Sequence, residues 1–171
     1  PSMGSRWLLG KAPAEYEPLG PIDMGDAANF AELLRVQPRP RAKHTLMIIL
    51  GHGMGMATQD HLRSGVVADG GSGQVLDAAT IARIGDERDA RFDVISLNSC
   101  HAATLENAWE LAGLSRYMVA APGPLSSPGF EWAAALSVTP GISPHDAVRA
   151  IQREQNGRIG VVDCSELRHV L

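Results

Sequence analysis

Two residues stand out for the chemistry their types and surroundings allow. His52 sits between Gly51 and Gly53, and Cys100 closes the run Asn98-Ser99-Cys100, 48 positions further on. A cysteine nucleophile needs a partner that takes its proton or keeps it as thiolate. Histidine is the usual partner, because its charge changes near neutral pH. The flanking glycines allow a tight turn and let the Gly53 N–H approach a substrate carbonyl, and the Cys100 N–H offers a second donor for a developing oxyanion. Taken singly, each residue has a plainer reading. A free cysteine is commonly a small buried hydrophobe, and a lone histidine commonly satisfies a local hydrogen bond. Cys164 has no glycine-flanked histidine near it in sequence and reads as structural. Two cysteines without a C-x-x-C pair give neither a disulfide framework nor a structural zinc site. A metal site from His44, His52, His61 and His101 finds no HExxH or comparable ligand spacing, so no metal is expected.

The elements that must position this pair follow from hydrophobic patterning. Thr45 to Leu50 (TLMIIL) is a short apolar run expected to be a strand buried on both faces, and it stops at Gly51-His52-Gly53. Phe92 to Leu97 (FDVISL) repeats the pattern and ends at Asn98-Ser99-Cys100. A helix is expected from Ala102 to Leu114, which would aim its positive end at the Cys100 side chain. Asp77 to Ile84 reads as a short helix with Asp77 near its start, and Asn29 to Val36 as an amphipathic helix capped by Asp26 or Asn29. Tyr117 to Ala121 reads as a strand closed by Pro122-Gly123-Pro124, with a loop from Ser126 to Gly129. Helices are expected over Phe130 to Val138 and over Pro144 to Gln155, the latter with Ser143 as cap and Pro144 at its first position. Arg158 to Val162 is expected to be the last strand and Arg6 to Leu9 an edge strand. Apolar strands alternating with helices argue for an α/β domain with a mostly parallel sheet, whose chemistry gathers beyond the carboxyl ends of its strands.

The bulk properties exclude some classes. The chain has 171 residues, 44% of them hydrophobic, enough for one domain with a real core. Fifteen basic against nineteen acidic side chains give a net charge of −4, and the longest basic stretch, Arg39 to Lys43, is broken by proline. Nucleic acid is therefore not an expected partner. No run reaches the roughly 18 apolar residues of a membrane span, and no membrane association is expected. The first residues lack the order of a signal peptide, and the opening PSMGSR, without an initiating methionine, reads as part of a processed or longer chain. Localisation is left open by these features.

Gly51-His52-Gly53 after an apolar strand, FDVISLNSC over Phe92 to Cys100, the stretch from His101 to Gly123, and IDMGDAANF over Ile22 to Phe30 together resemble the clostripain-like cysteine peptidases, relatives of caspases, gingipains and legumain. The spacing of His52 and Cys100 is also close to that of the caspase pair. The likeness runs from about Ile22 to Trp132. It implies a caspase-like three-layer α-β-α sandwich over residues 1–171 as a single peptidase core. It also implies a cysteine endopeptidase with His52 as base and Cys100 as nucleophile, and with the Gly53 and Cys100 amides holding the oxyanion. Glu106 matches a glutamate of the family's helix, although a solvated side chain explains it equally well. Such enzymes meet a basic substrate side chain with an acidic residue two positions before the cysteine. Here that position is Asn98, and Ala121 and Pro122 stand where the family has polar pocket residues, so the substrate pocket formed by Asn98, Ala121 and Pro122 departs from the pattern. Activation by cleavage in the loop after the histidine would fall at Arg63. The chemistry requires no cofactor. Calcium, used by some relatives, would look to Asp60, Asp69 or Asp77, which lack EF-hand spacing. The family's first strand, helix and strand are missing before Asp26, so the sheet is expected to lack its first strands and to be completed by an upstream segment or a partner chain. The expected partner in catalysis is a protein or peptide substrate. The alternatives are a catalytically silent caspase-fold module that binds or regulates, and a cysteine hydrolase acting on small amides.

Overall fold

The computed structural model describes residues 2–8, 15–36, 43–53, 65–68, 72–126, 129–130, 141–156 and 158–167. The register that matters most is set at the start of two strands. The Asp93 carboxylate accepts the Thr45 N–H at 2.8 Å, across 48 positions of sequence. From there β3 (Leu46–Leu50) and β6 (Phe92–Asn98) run parallel, Leu46 opposite Val94 and Leu50 opposite Asn98. β7 (Ser115–Ala120) pairs parallel on the other side of β6, and β8 (Gly160–Asp163) pairs antiparallel with β7. The sheet order is therefore β3-β6-β7-β8.

Side chains alternate across this sheet, as the period of two requires. Met47, Ile49, Ile95, Leu97, Met118 and Ala120 face one core cluster. There they pack against α1 (Ala27–Val36), α2 (Ala78–Glu87), α3 (Leu105–Leu111) and α5 (Cys164–Leu167). Val94, Tyr117 and Val119 face the second cluster, with Val148 and Ile151 of α4 (Pro144–Glu154). Helices on both faces make three layers, the α-β-α sandwich expected from the sequence.

The caps show why the helices begin where they do. Asp77 accepts the Thr80 N–H at 2.7 Å and Ser143 the Asp146 N–H at 3.1 Å, with Pro144 at the first helical position. Asp26 accepts the Ala28 N–H, whereas Asn29 lies inside α1 and donates to the Asp23 carbonyl. Of the two candidate caps, Asp26 is the one used.

Several expectations need correction. The run at Thr45 to Leu50 is buried on one face only: Ile48 and Leu50 are 37% and 64% exposed, because α4 packs on β6, β7 and β8. Among the described residues β3 pairs with β6 alone. The edge strand expected at Arg6 to Leu9 is β1 (Ser2–Leu8), and it forms an antiparallel hairpin with β2 (Glu15–Ile22). β2 left no mark in the patterning because it is mostly exposed and carries Pro18 and Pro21. A second small hairpin, β4 (Val67–Ala68) with β5 (Val75–Leu76), was also not anticipated. The last strand ends at Asp163 rather than Val162. The helix expected over Phe130 to Val138 lies, beyond Phe130, outside the described residues. Among the described residues no helix is long and apolar enough to cross a membrane.

Candidate active site

The pairing that places Leu50 opposite Asn98 has a direct consequence for chemistry. His52 lies two residues beyond Leu50 and Cys100 two beyond Asn98, so both leave adjacent strand ends at the same step. The two turns are in contact. The Gly51 N–H donates to the Asn98 carbonyl at 3.4 Å, and a Cβ placed on Gly53 would lie 2.3 Å from the Cys100 carbonyl oxygen and 2.9 Å from its nitrogen. Only glycine permits that approach, which is the reason for a glycine after the histidine. His52 is exposed and Cys100 half-buried.

The thiol has a partner that side-chain reading did not suggest. Cys100 Sγ accepts the Leu125 N–H at 3.3 Å and lies 3.7 Å from the Leu125 carbonyl oxygen. Among the described residues no hydrogen bond joins it to His52. The expected helix behind the cysteine is shorter than Ala102 to Leu114. α3 starts at Leu105, capped by Thr104, whose hydroxyl accepts the Asn107 N–H at 3.1 Å. Four residues separate Cys100 from that helix, so α3 does not set its positive end at the cysteine as a helix from Ala102 would. In its place His101 takes a left-handed conformation, φ 55°, which turns the chain sharply after the cysteine. Glu106 lies in the first turn of α3, exposed to solvent.

The expected pocket residues gather next to this turn. Leu97 pairs with Ala120, so Asn98 and Ala121 leave neighbouring strand ends together; both are buried, and Pro122 is exposed. Asn98 is 2% exposed. Its Oδ1 accepts the Phe130 N–H at 3.3 Å, and Gly129, at φ 94°, lies against the carboxamide so closely that a Cβ would come within 2.6 Å of Oδ1. Asn98 Nδ2 and the hydroxyls of Ser96 and Ser99 have no hydrogen-bond partner among the described residues. Arg63, Asp60 and Asp69 lie outside the described residues, and among those described no group of acidic, histidine or cysteine side chains is arranged to hold a metal ion. Cys164 is fully buried at the start of α5, in keeping with a structural role.

Sequence reading missed the Leu125 peptide and the Gly129–Phe130 cover over Asn98. Both act through main chain, which residue type does not advertise; the available signal was Pro122-Gly123-Pro124, whose prolines lack an N–H and leave Leu125 the first donor after Gly123.

The fold is shared with solved bacterial proteases. A secreted cysteine protease from Bacteroides thetaiotaomicron, "iotapain", superposes with a TM-score of 0.66 at 18% identity, covering 98% of this chain and 53% of the other. A secreted cysteine protease of that organism in complex with an irreversible peptide inhibitor gives 0.72 at 16% identity, over 97% of this chain and 53% of the other. An inactive zymogen protease from Parabacteroides distasonis gives 0.67 at 15%, over 98% and 49%. The chain thus spans about half the length of the solved structures it matches. A search of curated proteins finds no match. The family model for the clostripain family matches residues 13–167, nearly the whole sequence, so this chain belongs to the clostripain family.

Proposed function

We propose that the chain is the core of a cysteine endopeptidase that hydrolyses peptide bonds through Cys100 and His52. The observation that carries this reading is the contact between the two turns: Gly53 packs on the Cys100 main chain, at strand ends held in register by Thr45 and Asp93. Family membership supports it, as does the peptide inhibitor bound by one of the similar structures. Cys100 gives its proton to His52 as Sγ attacks the carbonyl carbon of the scissile bond, and the Gly53 and Cys100 amides hold the resulting oxyanion. Collapse breaks the C–N bond as His52 gives a proton to the leaving amine. Water, deprotonated by His52, then attacks the thioester and releases the new carboxyl end and the thiol. The residue N-terminal to the cut meets exposed Pro122, and reaches Asn98 and Ala121 only where the Gly129–Phe130 cover draws back. An amide at Asn98 replaces a carboxylate, so a basic side chain has no counter-ion there.

The sheet in this reading is completed beyond β3, which among the described residues pairs with β6 alone, by an upstream segment or a partner chain that also packs on Ile48 and Leu50. Cleavage after Arg63 is the proposed activation step.

A second reading has its own observation. Cys100 Sγ is bonded to Leu125 rather than His52, and one similar structure is an inactive zymogen, which together favour a silent binding or regulatory module. The test is mass spectrometry of the chain incubated with a mixed peptide library beside Cys100→Ala. Cuts that vanish in the variant establish the peptidase and read out its specificity. Cuts that persist reject Cys100 as nucleophile, and silence in both supports the module.

A further inference from the structure

The contact between Leu125 and Cys100 is built from several independent features. After Cys100 the chain runs antiparallel to the segment that follows β7: the His101 N–H donates to the Gly123 carbonyl at 3.0 Å and the Ala103 N–H to the Ala121 carbonyl at 2.9 Å. Continued by one step, that ladder brings the Leu125 peptide to the sulfur, its N–H at 3.3 Å and its carbonyl oxygen at 3.7 Å. Pro122 and Pro124 have no N–H and a fixed φ, so the segment is stiff and the first donor beyond Gly123 is that of Leu125. The Leu125 side chain packs against the second core cluster, which anchors its peptide to the sheet.

We propose that the main-chain N–H of Leu125 positions Cys100 Sγ for attack, so that a peptide donor, and not His52 alone, holds the sulfur where it reacts. This rests on the reading of Cys100 as the nucleophile. A hydrogen bond from N–H to a thiolate is charge-assisted and stronger than one to a neutral thiol, so the contact tightens as the sulfur gains negative charge. The carbonyl works the other way: it accepts the S–H of the neutral thiol and loses that contact on ionisation. The Leu125 peptide is thereby sensitive to the protonation state of the sulfur. Among the described residues the titratable groups of the segments around the sulfur are His52, on the turn after β3, and His101, on the cysteine's own turn. Ala121 to Ser126 and Gly129–Phe130 contribute none.

The first test uses the unaltered chain, isotopically labelled at leucine nitrogen, with the Leu125 amide followed by NMR through a pH titration. Alkylation of Cys100 by iodoacetamide is measured in parallel and located by peptide mapping; fully buried Cys164 serves as the unreactive control. The Leu125 amide is expected to move with the same midpoint as the alkylation rate and to stop moving in Cys100→Ala. The second test replaces Leu125 with leucic acid, which exchanges the amide for an ester and deletes that one N–H. The alkylation rate is then expected to fall about ten-fold across the profile, the size of one lost hydrogen bond. An amide that ignores the thiol, or an ester chain with an unchanged profile, overturns the proposal. Neither measurement uses a peptide substrate. A chain that cuts nothing yet shows both effects keeps this inference and loses the peptidase reading; one that cuts peptides with an unchanged profile loses this inference alone.

Discussion

Gly53 lies against Cys100 so closely that a side-chain carbon on the glycine would sit 2.3 Å from the cysteine's carbonyl oxygen. The obstacle is main chain on both sides, so no rotamer change relieves it. The turn that carries His52 and the turn that carries Cys100 are therefore fitted to each other, and the fit depends on the absence of one methyl group.

Gly53→Ala is expected to force the two turns apart. Overpacking of this kind costs about 1–3 kcal/mol of stability, visible as a lower urea midpoint. A displacement on the order of 1 Å at reacting groups lowers kcat/KM by about 10²-fold. A variant with unchanged stability and cleavage shows that the turns do not pack this way.

His52 is exposed, so removing its side chain leaves packing alone. His52→Ala is expected to lower kcat/KM for a cleaved peptide by roughly 10²–10⁴-fold. The thermal midpoint should stay within the change produced by about 0.5 kcal/mol. Retained cleavage assigns the proton transfer to another group.

Asn98→Asp places a carboxylate in a site that is 2% exposed, beneath Gly129 and Phe130. Its Oδ1 partner, the Phe130 N–H, remains, but the charge has no counter-ion there among the described residues. The variant is expected to lose roughly 3 kcal/mol at neutral pH in denaturant titrations. It should also gain cleavage after Arg and Lys in the peptide library. Loss of stability without that gain detaches Asn98 from substrate selection.

Asp163 provides a pH-dependent test of the sheet's far edge. Burial works to raise its carboxyl, but the hydroxyl and N–H of Ser165, with Tyr117 and the Arg116 charge, outweigh it and hold the group below the usual carboxylate range. A depressed folded value adds stability above the ordinary carboxylate range, and that stability is lost as pH falls through the folded value. Asp163→Asn is expected to cost about 1–2 kcal/mol at neutral pH. The gap from the unaltered chain should close below about pH 4 in urea unfolding. A gap that is independent of pH means the carboxylate is not what the site holds.

Much of the site was legible because its signals are local. Two apolar runs each stop a short way before a residue with chemistry, and a glycine after the histidine marks a close approach. Asp77 and Ser143 are caps by type and position, and each occupies that place. Ala102 to Thr104 suit a helix by composition, but the Ala103 N–H donates to the Ala121 carbonyl after β7, and α3 starts only at Leu105. Tertiary pairing overrode propensity there.

By itself the sequence determined that this is an α/β chain with a histidine and a cysteine at strand ends, because burial periodicity and turn residues are written one position at a time. The tertiary structure alone decided that β3 and β6 are neighbours in the register by which His52 and Cys100 leave adjacent strand ends at the same step, that β3 is covered on one face, and that Gly129 and Phe130 close over Asn98. It alone brought the Leu125 N–H to the sulfur. Strand pairing joins residues distant in sequence, and an apolar run does not name its partner; a main-chain donor is common to every residue but proline, so only its position in space makes it part of a site.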